Sequence, residues 1–139
     1  MNAEEIYGKE TKYFNDYQPM LESFGQILVQ VDEEGYLGDS WILYEKENRY
    51  GFLNFGWGSC SGCDALKACE NIKEVQDLMT ELEKSIIWFD NKESLLDYFI
   101  KTDWKGKYSW QIAEFKTFIT HVLNYLDYKE DLCVELLGV

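Results

Sequence analysis

Ser40-Trp-Ile-Leu-Tyr-Glu-Lys46 and Tyr50-Gly-Phe-Leu-Asn-Phe55 are short runs rich in β-branched and aromatic residues, parted by the polar triplet Glu47-Asn-Arg49. Such a pattern predicts two strands of a hairpin. Upstream, Gln26-Ile-Leu-Val-Gln-Val-Asp32 has the same character, and Glu34-Gly35 with Gly38-Asp39 supplies the residues that a tight reversal needs. The three runs together predict a three-stranded antiparallel meander. Before it, Tyr13, Phe14, Tyr17, Met20, Leu21 and Phe24 recur at helical spacing, which predicts a short helix over 12–24, bent at Pro19.

After the cysteine segment the period becomes helical. Asn71 followed by Glu74 matches an N-cap with an acid three residues on, and Ile72, Val75, Leu78, Met79, Leu82, Ile86 and Phe89 form one apolar stripe. A second helix is expected from Lys92, capped by Asp90 or Asn91, through Leu95, Leu96 and Phe99 to Thr102. The stretch from Trp104 to Trp110 reads as a loop turning at Gly106. A third helix follows from Ser109 as N-cap, through Ile112, Phe115, Ile119, Val122, Leu123 and Leu126, to about Tyr128. The tail 131–137 reads as a strand or a last helical turn. No repeat or Pro/Gly/Ser-rich linker interrupts the chain. The expectation is a single α+β domain over residues 1–139: a three-stranded antiparallel meander, then a Cys-rich loop and three helices.

Composition narrows the function classes. A chain of 139 residues with 46% apolar and 17% aromatic residues can bury a core, which disordered segments cannot. No run approaches the roughly 18 apolar residues needed to span a membrane. The start, Met1-Asn-Ala-Glu-Glu, has neither the basic nor the apolar region of a signal peptide, so a cytoplasmic location is expected. Twenty-six acidic residues against 13 basic ones give a net charge of −13. Arg49 is the only arginine. Direct nucleic-acid binding is therefore disfavoured, because neutralising phosphates requires a basic surface. The partner that suits this charge is itself basic, as a nucleic-acid-binding protein is, and an acidic competitor is steered into a groove meant for phosphates. Solubility alone explains the same charge.

Three of the four cysteines fall in Gly56-Trp-Gly-Ser-Cys60-Ser-Gly-Cys63-Asp-Ala-Leu-Lys-Ala-Cys69. A Cys-x-x-Cys pair sets two soft sulfur ligands on one tight turn, and a third thiol six residues on completes most of a tetrahedral zinc shell. Cys60, Cys63 and Cys69 are thus candidate ligands of a structural zinc. Cys133 is the preferred fourth, with His121, the only histidine, or water as alternatives. Two other readings stay open: the cysteines are small core hydrophobes, or Cys60 and Cys63 act in thiol-dependent redox or metal-handling chemistry. The redox reading is weakened by the antiparallel context, since a thioredoxin-like Cys-x-x-Cys follows a strand of a βαβ unit. No glycine-rich phosphate loop, histidine-rich centre or Gly-x-Ser-x-Gly elbow occurs, and no enzyme class is indicated.

Glu70, Glu74, Asp77 and Glu81 recur at spacings that place four carboxylates along one face of the first long helix, about 5–6 Å apart, comparable with backbone phosphates. Lys73 and Lys84 interrupt the row, and an ordinary solvated face with i,i+4 ion pairs explains the same pattern. Trp57, Trp104 and Trp110, in predicted loops, are candidate anchors for a protein partner if exposed and core if buried.

The segment Gly58-Ser-Cys-Ser-Gly-Cys-Asp64 resembles one found in small acidic proteins of bacteriophages and prophages, over this segment and its flanks, roughly a quarter of the chain. With the size, the acidity and the lack of catalytic motifs, the chain is similar to phage counter-defence inhibitors, including anti-CRISPR proteins that bind an effector nuclease. That resemblance implies a non-enzymatic nucleic-acid mimic in the host cytoplasm. The surface expected to meet the nuclease comprises Glu70, Glu74, Asp77, Glu81, Trp57 and Trp104.

Overall fold

A computed structural model describes residues 2–8, 14, 16–60, 62, 64–104 and 112–127, with only the backbone at 112. Its centre is a four-stranded antiparallel sheet in the order β1 (Gln26–Asp32), β2 (Leu37–Lys46), β3 (Arg49–Gly58) and β4 (Ile87–Phe89). Five helices are described: α1 (Ala3–Tyr7), α2 (Gln18–Ser23), α3 (Ile72–Ser85), α4 (Lys92–Lys101) and α5 (Ile112–Tyr125).

The meander follows from local chemistry. Lys46 pairs with Arg49, so Glu47 and Asn48 form a two-residue turn, and both adopt left-handed backbone (φ 54° and 63°). That is the type I′ geometry whose twist matches the flanking strands, and asparagine tolerates it well. β2 and β3 are longer than their apolar runs predict. Gly38 and Asp39, expected in a turn, lie in β2, paired with Trp57 and Gly56, and Trp57 is thereby a strand residue instead of a loop residue. A glycine is required at 38, because a Cβ there would stand 2.8 Å from the Cβ of Glu33.

β4 corrects the reading of one helix from 72 to 89. Asn71 does cap α3, its Oδ1 accepting from the Glu74 amide at 2.9 Å, but the helix stops at Ser85, and Ile87, Trp88 and Phe89 pair with Phe52, Gly51 and Tyr50. Two β-branched residues followed by two aromatics fit a pleated surface better than a helix end. Gly51 admits this strand, for a Cβ on it would lie 2.8 Å from the Trp88 ring. In the arm before β1, Pro19 opens α2 in its first turn, where a missing N–H costs nothing, instead of bending a longer helix. α1, which the sequence reading did not anticipate, docks on α3 through the Ala3 amide to Gln76 Oε1 at 2.7 Å. Asn91 caps α4, accepting from the Ser94 amide at 2.8 Å. The expected caps and tail at Ser109 and 131–137 lie outside the described residues.

The helices divide between the two faces of the sheet, so β2 is buried on both. Trp41 and Leu43 point to one face with Phe52, α4, Trp104 and α5, whereas Ile42 and Tyr44 point to the other with Leu53, Phe55, α1, α2, Leu66 and α3. This explains why Trp41-Ile-Leu-Tyr44 is a continuous apolar run and not an alternation. Tyr44 also ties α2 to the sheet, its hydroxyl donating to the Leu21 carbonyl at 2.7 Å.

Burial raises the hydroxyl pKa of Tyr44, as it does for Tyr17, where the Asp64 carboxylate adds to the effect, and for Tyr7, which is pushed up to about 12. The ordinary value is 10.0, so the unfolded chain ionises first as pH rises. These phenols therefore support the fold fully below their unfolded value and withdraw that support as pH climbs through their folded values. Alkaline titration is expected to show their tyrosinate absorbance appearing together with loss of helical circular dichroism. Ionisation of all three near the ordinary value in an intact fold would refute this.

Candidate functional site

The segment after β3 is held by one buried carboxylate. Asp64, 5% exposed, accepts from the Gly58 amide through Oδ1 and from the Lys67 amide through Oδ2, each at 2.9 Å. The first bond ties the segment to the end of β3. The second, with the Ala68 amide on the Asp64 carbonyl at 3.0 Å, caps the turn that leads to Cys69. Lys67 Nζ reaches back to the Gly58 carbonyl at 3.0 Å, and the Leu66 amide donates to the Tyr17 hydroxyl at 3.1 Å.

Of the four cysteines read as zinc ligands, Cys60 is exposed and Cys69 half-buried, while Cys63 and Cys133 lie outside the described residues. Cys60 Sγ sits over Gly62, 4.0 Å from where a Cβ would be. Cys69 Sγ donates to the Ala65 carbonyl at 3.3 Å, and burial, helped by the carboxylates of Glu74, Asp64 and Asp77, raises its thiol pKa, which does not suit a nucleophile. His121 is on α5, across the sheet from the face on which Cys69 packs, so the fold does not bring it to Cys69. Among the described residues no three His, Cys, Asp or Glu side chains gather as a metal site.

The acidic row is shorter than expected. Glu70 precedes the N-cap Asn71 and is therefore not on α3, leaving Glu74, Asp77 and Glu81 along the helix. Asp77 pairs with Lys73 at 3.0 Å, both well exposed, an interaction worth little in stability. Trp104 does not reach the surface: it is fully buried, with Nε1 donating to the Phe99 carbonyl at 2.7 Å, so the anchor role expected of it is corrected to a core role. Trp57 is half-buried and lines a cleft; Trp110 is outside the described residues.

That cleft, of about 260 Å³, was not anticipated. It opens where the far end of the β1–β2–β3 sheet meets α2 and the Asp64 segment. Its floor is a hydrogen-bonded chain in which Trp57 Nε1 donates to Ser40 Oγ at 3.0 Å and Ser40 Oγ donates to Asp32 Oδ1 at 2.5 Å. Gln30 Nε2 also donates to the Asp32 carboxylate, at 3.1 and 3.2 Å, and exchanges two 2.9 Å bonds with the Gln18 amide. Asp16 and Asp64 complete the acidic lining, and Tyr36, 84% exposed at the β1–β2 turn, stands at the rim. A signal for part of it exists in the sequence: Asp32 and Ser40 are cross-strand partners only if the meander's register is known.

No protein-family model matches the chain, and neither the curated proteins nor the solved structures contain a match.

Proposed function

We propose that the chain is a non-enzymatic inhibitor, encoded by a phage or mobile element, which binds the basic nucleic-acid-binding surface of a host defence nuclease of the CRISPR effector type and blocks nucleic-acid loading. The observation that carries this reading is the disposition of its charge. Net charge is −13, and every described carboxylate except Asp64 reaches solvent. The single arginine is already engaged, with Nε 3.2 Å from Asp90 and the guanidinium over the Trp88 ring at 5.7 Å. Such a surface attracts basic grooves and repels nucleic acid.

Binding to effector nucleases is expected to weaken steeply with salt and to be competed by the nuclease's own nucleic acid. The double variant Asp77→Lys/Glu81→Lys, on exposed positions of α3, is expected to lose roughly tenfold in affinity with its melting temperature nearly unchanged. Absence of salt-sensitive association with any effector sinks the reading.

A structural zinc on Cys60, Cys63, Cys69 and Cys133 belongs to the same proposal, clamping the segment that Asp64 anchors. Elemental analysis of protein purified without added metal should give about one zinc per chain. Cys60→Ser or Cys63→Ser should lower thermal stability far more than Glu81→Gln, because structural-site binding energy is folding energy. Metal-free protein with four freely titrating thiols in the native state would rule the zinc out.

A further inference from the structure

We infer that the cleft between α2, the β1–β2–β3 sheet end and the Asp64 segment receives an arginine side chain of the basic partner. This rests on the reading of the chain as a binder of basic surfaces. The lining sets the three carboxylates of Asp16, Asp32 and Asp64 against the single ammonium of Lys67, which is tied to the Gly58 carbonyl. An anionic occupant is thereby disfavoured. Asp32 still has acceptor capacity, since a carboxylate offers about four lone-pair sites and three donor contacts are made to it. The Gln18 and Gln30 carbonyl oxygens each use one lone pair on the other's amide.

Several acceptors lining one small cavity suit a planar guanidinium with five N–H donors better than a compact ammonium. The walls add the second half of the match. Tyr36, Phe55 and Trp57 line the same cleft, and aromatic faces attract a cation while covering its apolar stem. A volume near 260 Å³ accommodates a side chain head and not a folded ligand. Tyr36, 84% exposed on the β1–β2 turn, lines the opening, and Leu37, 68% exposed, follows it at the start of β2, so both can meet the surface that carries the arginine.

The test uses the full chain and a blocked Gly-Arg-Gly peptide, followed by backbone amide shifts in NMR at low salt. Saturable binding with shifts confined to residues around Asp32, Tyr36, Trp57 and Ser59 is expected, with no saturation by the neutral citrulline isostere. Asp32→Asn should weaken it about tenfold, the loss of one charge-assisted contact, and Tyr36→Ala, which removes an exposed side chain without disturbing the core, about threefold. Equal binding of the citrulline peptide, shifts scattered over the acidic surface, or full affinity in both variants would overturn the inference. Binding of free arginine but not of the blocked peptide would also overturn it, since the cleft would then serve a small molecule. If the peptide saturates the cleft while no effector binds the protein, the cleft stands and the effector reading falls. If an effector binds and both variants bind it as tightly as the parent, the cleft falls and the effector reading stands.

Discussion

Trp104→Ala is expected to destabilise the fold by about 3–5 kcal/mol, lowering the folded-to-unfolded ratio by about two to four orders of magnitude. The indole is fully buried, with its centroid 4.7 Å from the Phe115 ring, 5.6 Å from Phe99 and 6.1 Å from Phe52. Alanine would leave a cavity between α4, α5 and the sheet, and would orphan the Phe99 carbonyl that accepts the indole N–H at 2.7 Å. The surrounding aromatics cannot all move in, because each is also packed on a neighbour: Phe52 on Phe118, and Phe99 on Tyr98. Urea titration should show a lower midpoint with an unchanged slope. Ile100→Ala, on the same region of α4 but 46% exposed, is the control and should cost well under half as much. A loss below about 1 kcal/mol for Trp104→Ala would contradict the packing described.

Asp64→Ala is the second large effect, about 2–4 kcal/mol, and it acts on the site as well as on the fold. Its two oxygens accept from the Gly58 and Lys67 amides, each at 2.9 Å. Removing them leaves two amide donors facing an alanine in a buried place. The Cys60–Cys69 segment should then open locally before the sheet does, since besides the buried Leu66 side chain its other described ties are the hydrogen bonds of the Lys67 ammonium and the Leu66 amide. Faster alkylation of Cys60 and Cys69, at a temperature where far-ultraviolet circular dichroism is unchanged, is the expected signature. Asp64→Asn should lie between parent and alanine, because it keeps one acceptor and turns the other into a donor facing a donor. Identical stability and thiol reactivity in Asp64→Ala would show that the segment is held by something else.

Much of the architecture is legible in residue order. The short β-branched and aromatic runs at 26–32, 40–46 and 50–55, bounded by turn residues, mark the meander, and Asn71 and Asn91 mark two helix starts through chemistry confined to four residues. The failures have a common cause. Gly38 looks like a turn residue by composition, but it pairs with Trp57 within β2, where the Glu33 side chain and the Trp57 ring leave room only for glycine. Ile86 and Phe89 continue the helical stripe of α3 by spacing, yet the edge of β3, with Gly51 bare enough to admit Trp88, recruits 87–89 into the sheet. Local pattern is blind to such competition.

The candidate site is less legible than the fold. The cysteines are conspicuous because their spacing is local, and the charge because it is a sum. The cleft is neither: Asp16, Asp32, Ser40, Trp57 and Asp64 are spread over some fifty positions, and they meet only because β1, β2 and β3 pair in one register and Asp64 folds its segment back onto Gly58.

By itself, then, the sequence determined an acidic, aromatic-rich α+β chain with a central meander and two capped helices, since hydrophobic period, turn residues and N-caps act within a few residues of themselves. Only the tertiary structure decided that the helices cover both faces of the sheet, that Trp104 is core and not surface, and that an acidic and aromatic cleft exists. Those outcomes depend on which side chains meet across strands and layers, where burial and close packing choose among arrangements that local propensity leaves nearly equal.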